Sequence, residues 1–207
     1  MTDGEIFIAD DEPAVLTAIS AALRLEGYQV SGFADGVSFL DAAKARTPTC
    51  VILDVHMPGR SGLDILKELN AEQYPAPIFI ISGSGDIPMA VEAIRHGALD
   101  FIEKPFDART VVARVREAIA AWAQRDQTAQ QSGIPAEFSG HEQLTMRERD
   151  VLMQIADGAS NKEAGRKLGI SPRTVEVHRA RIMEKLGAKN AADLVRIVMS
   201  QNQKRSG

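Results

Sequence analysis

The sequence predicts an α/β protein in two parts: a (βα)5 doubly wound parallel sheet, then a small all-α helix-turn-helix domain. Three observations carry this. Short apolar runs alternate with helix-period segments over residues 1–123, and such alternation requires parallel strands with right-handed crossovers. Beyond Leu144 the apolar runs give way to short helices with marked starts and glycine stops. The charge divides in the same place: residues 1–124 hold 10 Lys and Arg against 18 Asp and Glu, a net of −8, and residues 125–207 hold 14 against 10, a net of +4. An acidic part joined to a basic part indicates different partners, the basic one suiting a polyanion. The expected domains are 1–123 and 144–207, joined by a polar, Gln- and Ala-rich linker over 124–143 that composition leaves open as helix extension or coil.

Residues 5–9 form the first strand and end in Asp10, Asp11 and Glu12. Pro13 stands in the first turn of a helix running to residue 25, where its missing N–H costs nothing, and Gly27 stops that helix. Residues 28–31 are a second strand and 36–45 the next helix. The apolar, β-branched run 50–53 is a buried third strand, delivering Asp54 to its C-terminal end just before Met57, Pro58 and Gly59 turn the chain. A helix over 62–69 follows, then a fourth strand over 77–81 ending at Ser82. A helix from about 88 to 96 leads to the strand 98–102, which runs into Glu103, Lys104 and Pro105. The last helix starts near Asp107 and turns Val111, Val115, Ala118 or Ile119, and Trp122 toward the sheet. Asp35, Asp86 and Asp107 are placed to cap helices.

In such a sheet all strand C-termini lie on one edge, where ligands bind in open α/β folds. That edge receives Asp10, Asp11, Asp54, Ser82 and Lys104. Three carboxylates together require a cation, and oxygen ligands with room for water suit Mg2+ rather than zinc. A hydroxyl and an ammonium beside them serve an incoming phosphoryl group, the lysine as a point charge on its oxygens. Each residue alone has a plainer reading: Asp10 and Asp11 as acids at a helix start, Lys104 as surface, Phe101 as core. Their coincidence at successive strand ends favours phosphate chemistry.

The Asp10–Asp11 pair, Asp54 with Met57, Pro58 and Gly59, Ser82, and Lys104 followed by Pro105 resemble the signature of a response-regulator receiver domain. The resemblance covers residues 1 to about 122. It implies that Asp54 is the phosphoacceptor, served by a sensor histidine kinase. It also implies that Mg2+ is held by Asp11, Asp54 and the backbone carbonyl of His56, with Asp10 acting through water. Ser82 and Lys104 would grip the phosphoryl oxygens, and Phe101 matches the family's switch aromatic. The His56 side chain reads as a solvent-facing loop residue. Haloacid-dehalogenase-like phosphatases share the strand-end Asp and Mg2+ but place a second Asp two residues on as general acid. Here that position is His56, and the Asp follows the third strand rather than the first, so no enzyme is expected.

In the second half, Thr145 precedes Glu148 and Ser160 precedes Glu163 with capping-box spacing. Ser171 and Pro172 set an N-cap before an N1 proline, and Asn190 can cap a fourth helix. Gly158, Gly169 and Gly187 close the first three. Four short helices with a tight turn at 169–171 make a helix-turn-helix arrangement. On the third helix, Val175, His178, Arg179, Ile182 and Leu186 fall on one side at 100° per residue. Arg173, Val177, Ala180, Arg181 and Glu184 project oppositely, flanked by Glu176 and Lys185. Arginine can read guanine, glutamate can accept from cytosine, and Val or Ala can meet a thymine methyl, so this side suits a major groove.

Residues 144–200 resemble the LuxR/NarL-type DNA-binding domain, on Leu144, Thr145, Arg147, Glu148, Ser160, Asn161, Lys162, Glu163, Ile170, Ser171, Thr174, Val175, His178, Ile182, Lys185, Leu186 and Gly187. The resemblance implies that the third helix is the recognition helix, that Asn161, Lys162, Thr174 and His178 lie near the phosphate backbone, and that the fourth helix, with Leu194, Val195 and Val198, can form a dimer contact. Gly165 departs from the family pattern, and a glycine inside a helix costs about 1 kcal/mol, so a loose second helix is expected.

Together the halves are similar to FixJ-type regulators, in 84–90 and 100–106 and again in 172–180. The resemblance implies promoter DNA, a sensor histidine kinase and RNA polymerase as partners, and a homodimer formed on phosphorylation. The alternative is a DNA-binding protein whose receiver is a phosphorylation-independent dimerisation scaffold. Only one cysteine, Cys50, occurs, which excludes a disulfide framework, and the four histidines show no metal-ligand spacing. No apolar run approaches the ~20 residues of a membrane span and no signal peptide opens the chain, so no membrane partner and a cytoplasmic location are expected.

Overall fold

The computed structural model describes residues 4–83, 87–128 and 143–199. The chain divides into two compact units, Met1–Trp122 and Ala123–Gly207. The first holds strands β1 (Glu5–Ala9), β2 (Gln29–Phe33), β3 (Cys50–Asp54), β4 (Ile78–Ser82) and β5 (Asp100–Glu103). They alternate with helices α1 (Pro13–Leu25), α2 (Gly36–Ala45), α3 (Gly62–Glu68), α4 (Ile87–Arg95) and α5 (Ala108–Thr128), the last of which runs past the end of this unit at Trp122. All strands are parallel, in the order β2-β1-β3-β4-β5. This is the expected doubly wound sheet.

β1, β3 and β4 are flanked on both sides, and Ile6–Ala9, Cys50–Leu53 and Phe79–Ile81 are fully buried, as helices on both faces demand. Phe7, Phe33 and Phe39 meet edge to face, at centroid distances of 5.2 to 6.3 Å. The expected stripe of α5 faces the core, with Val111, Val115 and Ala118 buried. Asp35 caps α2 by accepting from the N–H groups of Val37 and Ser38, and Asp107 accepts from Arg109 N–H. Asp86 lies outside the described residues.

Two strands differ from expectation by two residues at one end. β2 extends to Phe33, beyond the expected end at residue 31, because Gly32 and Phe33 pair with Ile8 and Ala9. β5 begins at Asp100, not residue 98, since the ladder with β4 starts at the Phe79–Asp100 pair. Of the segment expected as linker, 124–128 continue α5 as helix, and 129–142 lie outside the described residues.

The second unit contains α6 (Met146–Ala156), α7 (Asn161–Leu168), α8 (Pro172–Leu186) and α9 (Ala191–Met199). Both expected capping boxes form, Thr145 with Glu148 and Ser160 with Glu163. Ser171 caps α8 through Thr174 N–H, and Asn190 accepts from Asp193 N–H. Val151, Leu152, Ala164, Val175, Ile182 and Leu194 make the core.

Gly165 does not loosen α7; it admits the turn. A Cβ there would stand 2.6 Å from the Ile170 carbonyl oxygen, while Ile170 N–H donates to the Gly165 carbonyl at 2.9 Å. Helix propensity alone makes Gly165→Ala a gain of about 1 kcal/mol. Overpacking against backbone outweighs it, for an expected net loss of about 1–2 kcal/mol from this unit. Thermal unfolding by circular dichroism checks the sign, and a stabilised variant would show that the turn yields.

Candidate functional site

The C-terminal edge of the sheet gathers the residues expected there. Asp10 follows β1, Asp54 ends β3 opposite Ile81, Ser82 ends β4 opposite Glu103, and Lys104 follows β5. Lys104 N–H donates to the Ser82 carbonyl at 2.7 Å, fixing the lysine beside the strand end. Gly62 keeps the loop tight: its N–H reaches the Val55 carbonyl at 2.9 Å, and a Cβ would lie 2.4 Å from the Asp54 carbonyl oxygen. Helix α3 therefore starts directly beneath the site, its own start held by the Ser61–Asp64 capping box.

Carboxylate oxygens of Asp10, Asp11 and Asp54 lie within 4.8 Å of one another, the first and last buried, the middle one exposed. Three hard oxygen donors with one side open fit a divalent cation that keeps water. Lys104 Nζ stands 3.1 Å from Asp10 Oδ2 and 3.4 Å from Asp54 Oδ1. Burial, then the charge of Asp10, push the Asp54 carboxyl up to about 6, against the opposing pull of Lys104. Burial acts to lower Lys104, but its bonds to Asp10 and Asp54 and their charges prevail, so its pKa is raised. Ser82 is buried at the strand end. His56 is exposed in the following loop, as expected of its side chain. Phe101 is 8 % exposed.

Two charged groups were not anticipated, one at the site and one at the start of the edge strand. Glu12 Oε2 lies 3.9 Å from Lys104 Nζ. Asp100, fully buried in the edge strand, is paired with Arg114 of α5 and accepts the N–H of Phe101 at 2.9 Å; Arg114 Nη1 donates to the Phe101 carbonyl at 2.9 Å. The signal available was a charged residue inside an otherwise apolar strand.

In the second unit, Arg173, Glu176 and Ala180 of α8 are exposed, Val177 is half-buried, and Lys162 is exposed on α7. Asn161 joins the two helices: its Nδ2 donates to Glu176 Oε1 at 3.2 Å, and its Oδ1 accepts from Arg179 Nη1 at 2.7 Å. Expectations for five residues need correction. His178 and Thr174 are 2 % and 0 % exposed, so their side chains belong to the core and not to a phosphate-facing surface. Arg181 and Lys185 do not project freely; they pair with the buried carboxylate of Glu148, at 3.4 and 2.7 Å. Leu194, expected in a dimer contact, is 1 % exposed within the unit, while Val195 is half-buried; the side chain of Val198 lies outside the described residues.

The burial of His178 has a consequence for pH. Neither ring nitrogen has a hydrogen-bond partner among the described residues. Burial first, then the Arg147 charge, push its pKa down to about 3, Glu148 alone opposing among the nearby charges. Below its ordinary value near 6.5 the unfolded chain takes up a proton that the folded unit refuses. Stability is therefore complete above pH 6.5 and falls as pH drops toward 3, by about 2 kcal/mol between pH 6.5 and 5. Urea unfolding of wild type and His178→Leu across that range tests it: the variant should lack this component of the slope.

The fold and the edge cluster define a phosphorylation-type receiver, and the basic helical unit a DNA-binding module. The family profile of the response regulator receiver domain matches residues 6–116, and that of the luxR family of bacterial regulatory proteins matches residues 142–198. The chain belongs to the response regulators that join these two domains, a family of transcriptional regulators and not an enzyme class. It is 39 % identical to the transcriptional regulatory protein FixJ of Bradyrhizobium diazoefficiens over 96 % of either chain. It is 41 % identical to the response regulator protein TmoT of Ectopseudomonas mendocina, over 95 % of this chain and 90 % of that one. The crystal structure of full-length FixJ from B. japonicum superposes with a TM-score of 0.57 at 38 % identity, covering 97 % of this chain and 98 % of that chain. Membership implies a sensor kinase and promoter DNA as partners. Among the described residues no helix is long and apolar enough to cross a membrane.

Proposed function

We propose that Asp54 is the phosphoacceptor, that a sensor histidine kinase supplies the phosphoryl group, and that the state of Asp54 governs promoter binding through α8. The observation that carries this is Lys104 Nζ set between Asp10 and Asp54 in a pocket of three carboxylates. An Asp54 oxygen attacks phosphorus, the P–N bond of the kinase phosphohistidine breaks with its electron pair leaving on the imidazole, and an aspartyl phosphate remains. Lys104 and Ser82 take the phosphoryl oxygens, the lysine as a fixed charge. Asp10, Asp11, Asp54 and the His56 carbonyl would hold Mg2+, which supplies positive charge against the transferring group.

The new group adds nearly two negative charges, drawing in the loops of Ser82 and Lys104 and resetting Phe101. Pairing of two receivers then uses the face of α4, β5 and α5. Met89 and Val91 are half-buried there, whereas Ala98 is core. Two linked DNA-binding units raise each other's effective concentration on paired half-sites, and the bound dimer meets RNA polymerase in the cytoplasm. Arg173, Glu176, Val177 and Ala180 read base edges, and Lys162 contacts phosphate. Metal removal tests the site: chelation should abolish labelling by a small phosphodonor and added Mg2+ should restore it. Labelling that persists in chelator would refute the metal-assisted reading.

A further inference from the structure

We infer that Glu148 is a positioning residue for DNA recognition: its buried carboxylate withholds Arg181 and Lys185, the cations in the C-terminal half of α8, from the phosphate backbone. The inference rests on the reading of α8 as the helix that meets DNA.

Arg181 and Lys185 stand four residues apart, hence on one face of the helix, and that face meets α6. Glu148, 0 % exposed, takes Arg181 Nε at 3.4 Å on Oε1 and Lys185 Nζ at 2.7 Å on Oε2. The cations are themselves largely covered, their side chains 15 % and 28 % exposed. Glu148 is fixed in turn by its capping box. Its Oε2 accepts Thr145 N–H at 2.8 Å, and its own N–H donates to Thr145 Oγ1 at 3.3 Å.

The carboxylate that holds helix α6 in place therefore also sets the charge presented by α8. Burial acts to raise the Glu148 pKa, but the bond from Lys185, the Thr145 N–H and the two cationic charges prevail and hold it below the ordinary value. At neutral pH both contacts are ion to ion, and the one from Lys185 is a charge-assisted hydrogen bond. A third cation of α8, Arg179, is bonded to Asn161. Arg173 on α8 and Lys162, Arg166 and Lys167 on α7 are exposed. Within α8 the exposed arginine is thereby Arg173 at its N-terminal end, on the same helix as the side chains proposed to read bases.

The test uses the full chain with Mg2+ and phosphodonor, and a fluorescent duplex of random sequence titrated by anisotropy over a salt series. Each cation that neutralises a phosphate contributes about 0.9 to the slope of log K against log salt. Lys162→Ala should flatten the slope by about 0.9, and Lys185→Met should leave it unchanged. Glu148→Gln keeps an acceptor for Thr145 while losing the charge, and should steepen the slope by about 1–2. Adding Lys185→Met to that variant should take back about 0.9 of the gain. Should Glu148→Gln not fold, the comparison of Lys185→Met with Lys162→Ala decides alone. Equal flattening by those two variants, or a folded Glu148→Gln with the wild-type slope, overturns the inference. If Lys162→Ala and Arg173→Ala both leave binding untouched, the reading of α8 itself falls, and this inference with it.

Discussion

Asp54→Asn should reduce incorporation of an acid-stable, base-labile phosphoryl group to background, where the wild type with Mg2+ and a small phosphodonor is labelled. The carboxamide keeps the shape of the side chain, so the buried strand end that holds it is little disturbed. What it loses is the anionic oxygen that attacks phosphorus and one of the three carboxylates that gather a cation. The other buried strand-end carboxylate beside Lys104 is Asp10, at 3.1 Å, and a loss of labelling that is all or none excludes it as the acceptor. Labelled protein is followed by mass and by its lability in base. Undiminished labelling of the variant would put the acceptor elsewhere.

The largest effect on stability is expected at Arg114. Its guanidinium serves the fully buried Asp100 carboxylate and the Phe101 carbonyl together, on the edge strand of the sheet. Arg114→Met keeps most of the apolar stem that lies near Phe79, whose ring centre is 5.9 Å from the guanidinium carbon. It removes the cation from a buried charge, which costs about 3 kcal/mol. Urea unfolding followed by Trp122, the single tryptophan, measures the loss. Arg114→Lys should fall between, since an ammonium restores charge but not the two-pronged donor geometry. A loss under about 1 kcal/mol for Arg114→Met, the range of an exposed ion pair, would show the contact to be superficial.

Much of this architecture was legible because its signals are local. Strands such as 50–54 are apolar throughout, the caps at Asp35, Thr145, Ser160 and Ser171 are spaced by helix geometry, and parallel alternation forces the strand ends together. Hence Asp10, Asp11, Asp54, Ser82 and Lys104 could be assembled without a structure. What escaped was set by tertiary partners. Nothing near Gly32 says that it pairs with Ile8. The Glu148–Lys185 contact spans 37 residues, so a helical wheel, working by angle alone, puts Arg181 on the side suited to a major groove and Lys185 on its flank. His178 belonged to the core side of that wheel, yet a family resemblance drew it toward DNA; its burial supports the wheel. Gly165 was judged by helix propensity, while its role is to admit the Ile170 carbonyl.

The central claim is that the state of Asp54 controls DNA binding by the second unit. The direct measurement is the affinity of the full-length chain for genomic fragments selected with the phosphorylated protein, with and without phosphodonor, for wild type and Asp54→Asn in the same Mg2+ and salt. The wild type should gain affinity, cooperatively in protein concentration, when the donor is added, and Asp54→Asn should show the unphosphorylated affinity under both conditions. Equal binding by wild type with and without donor, under conditions where Asp54 is shown to be labelled, would contradict the account and leave the receiver as a phosphorylation-independent scaffold.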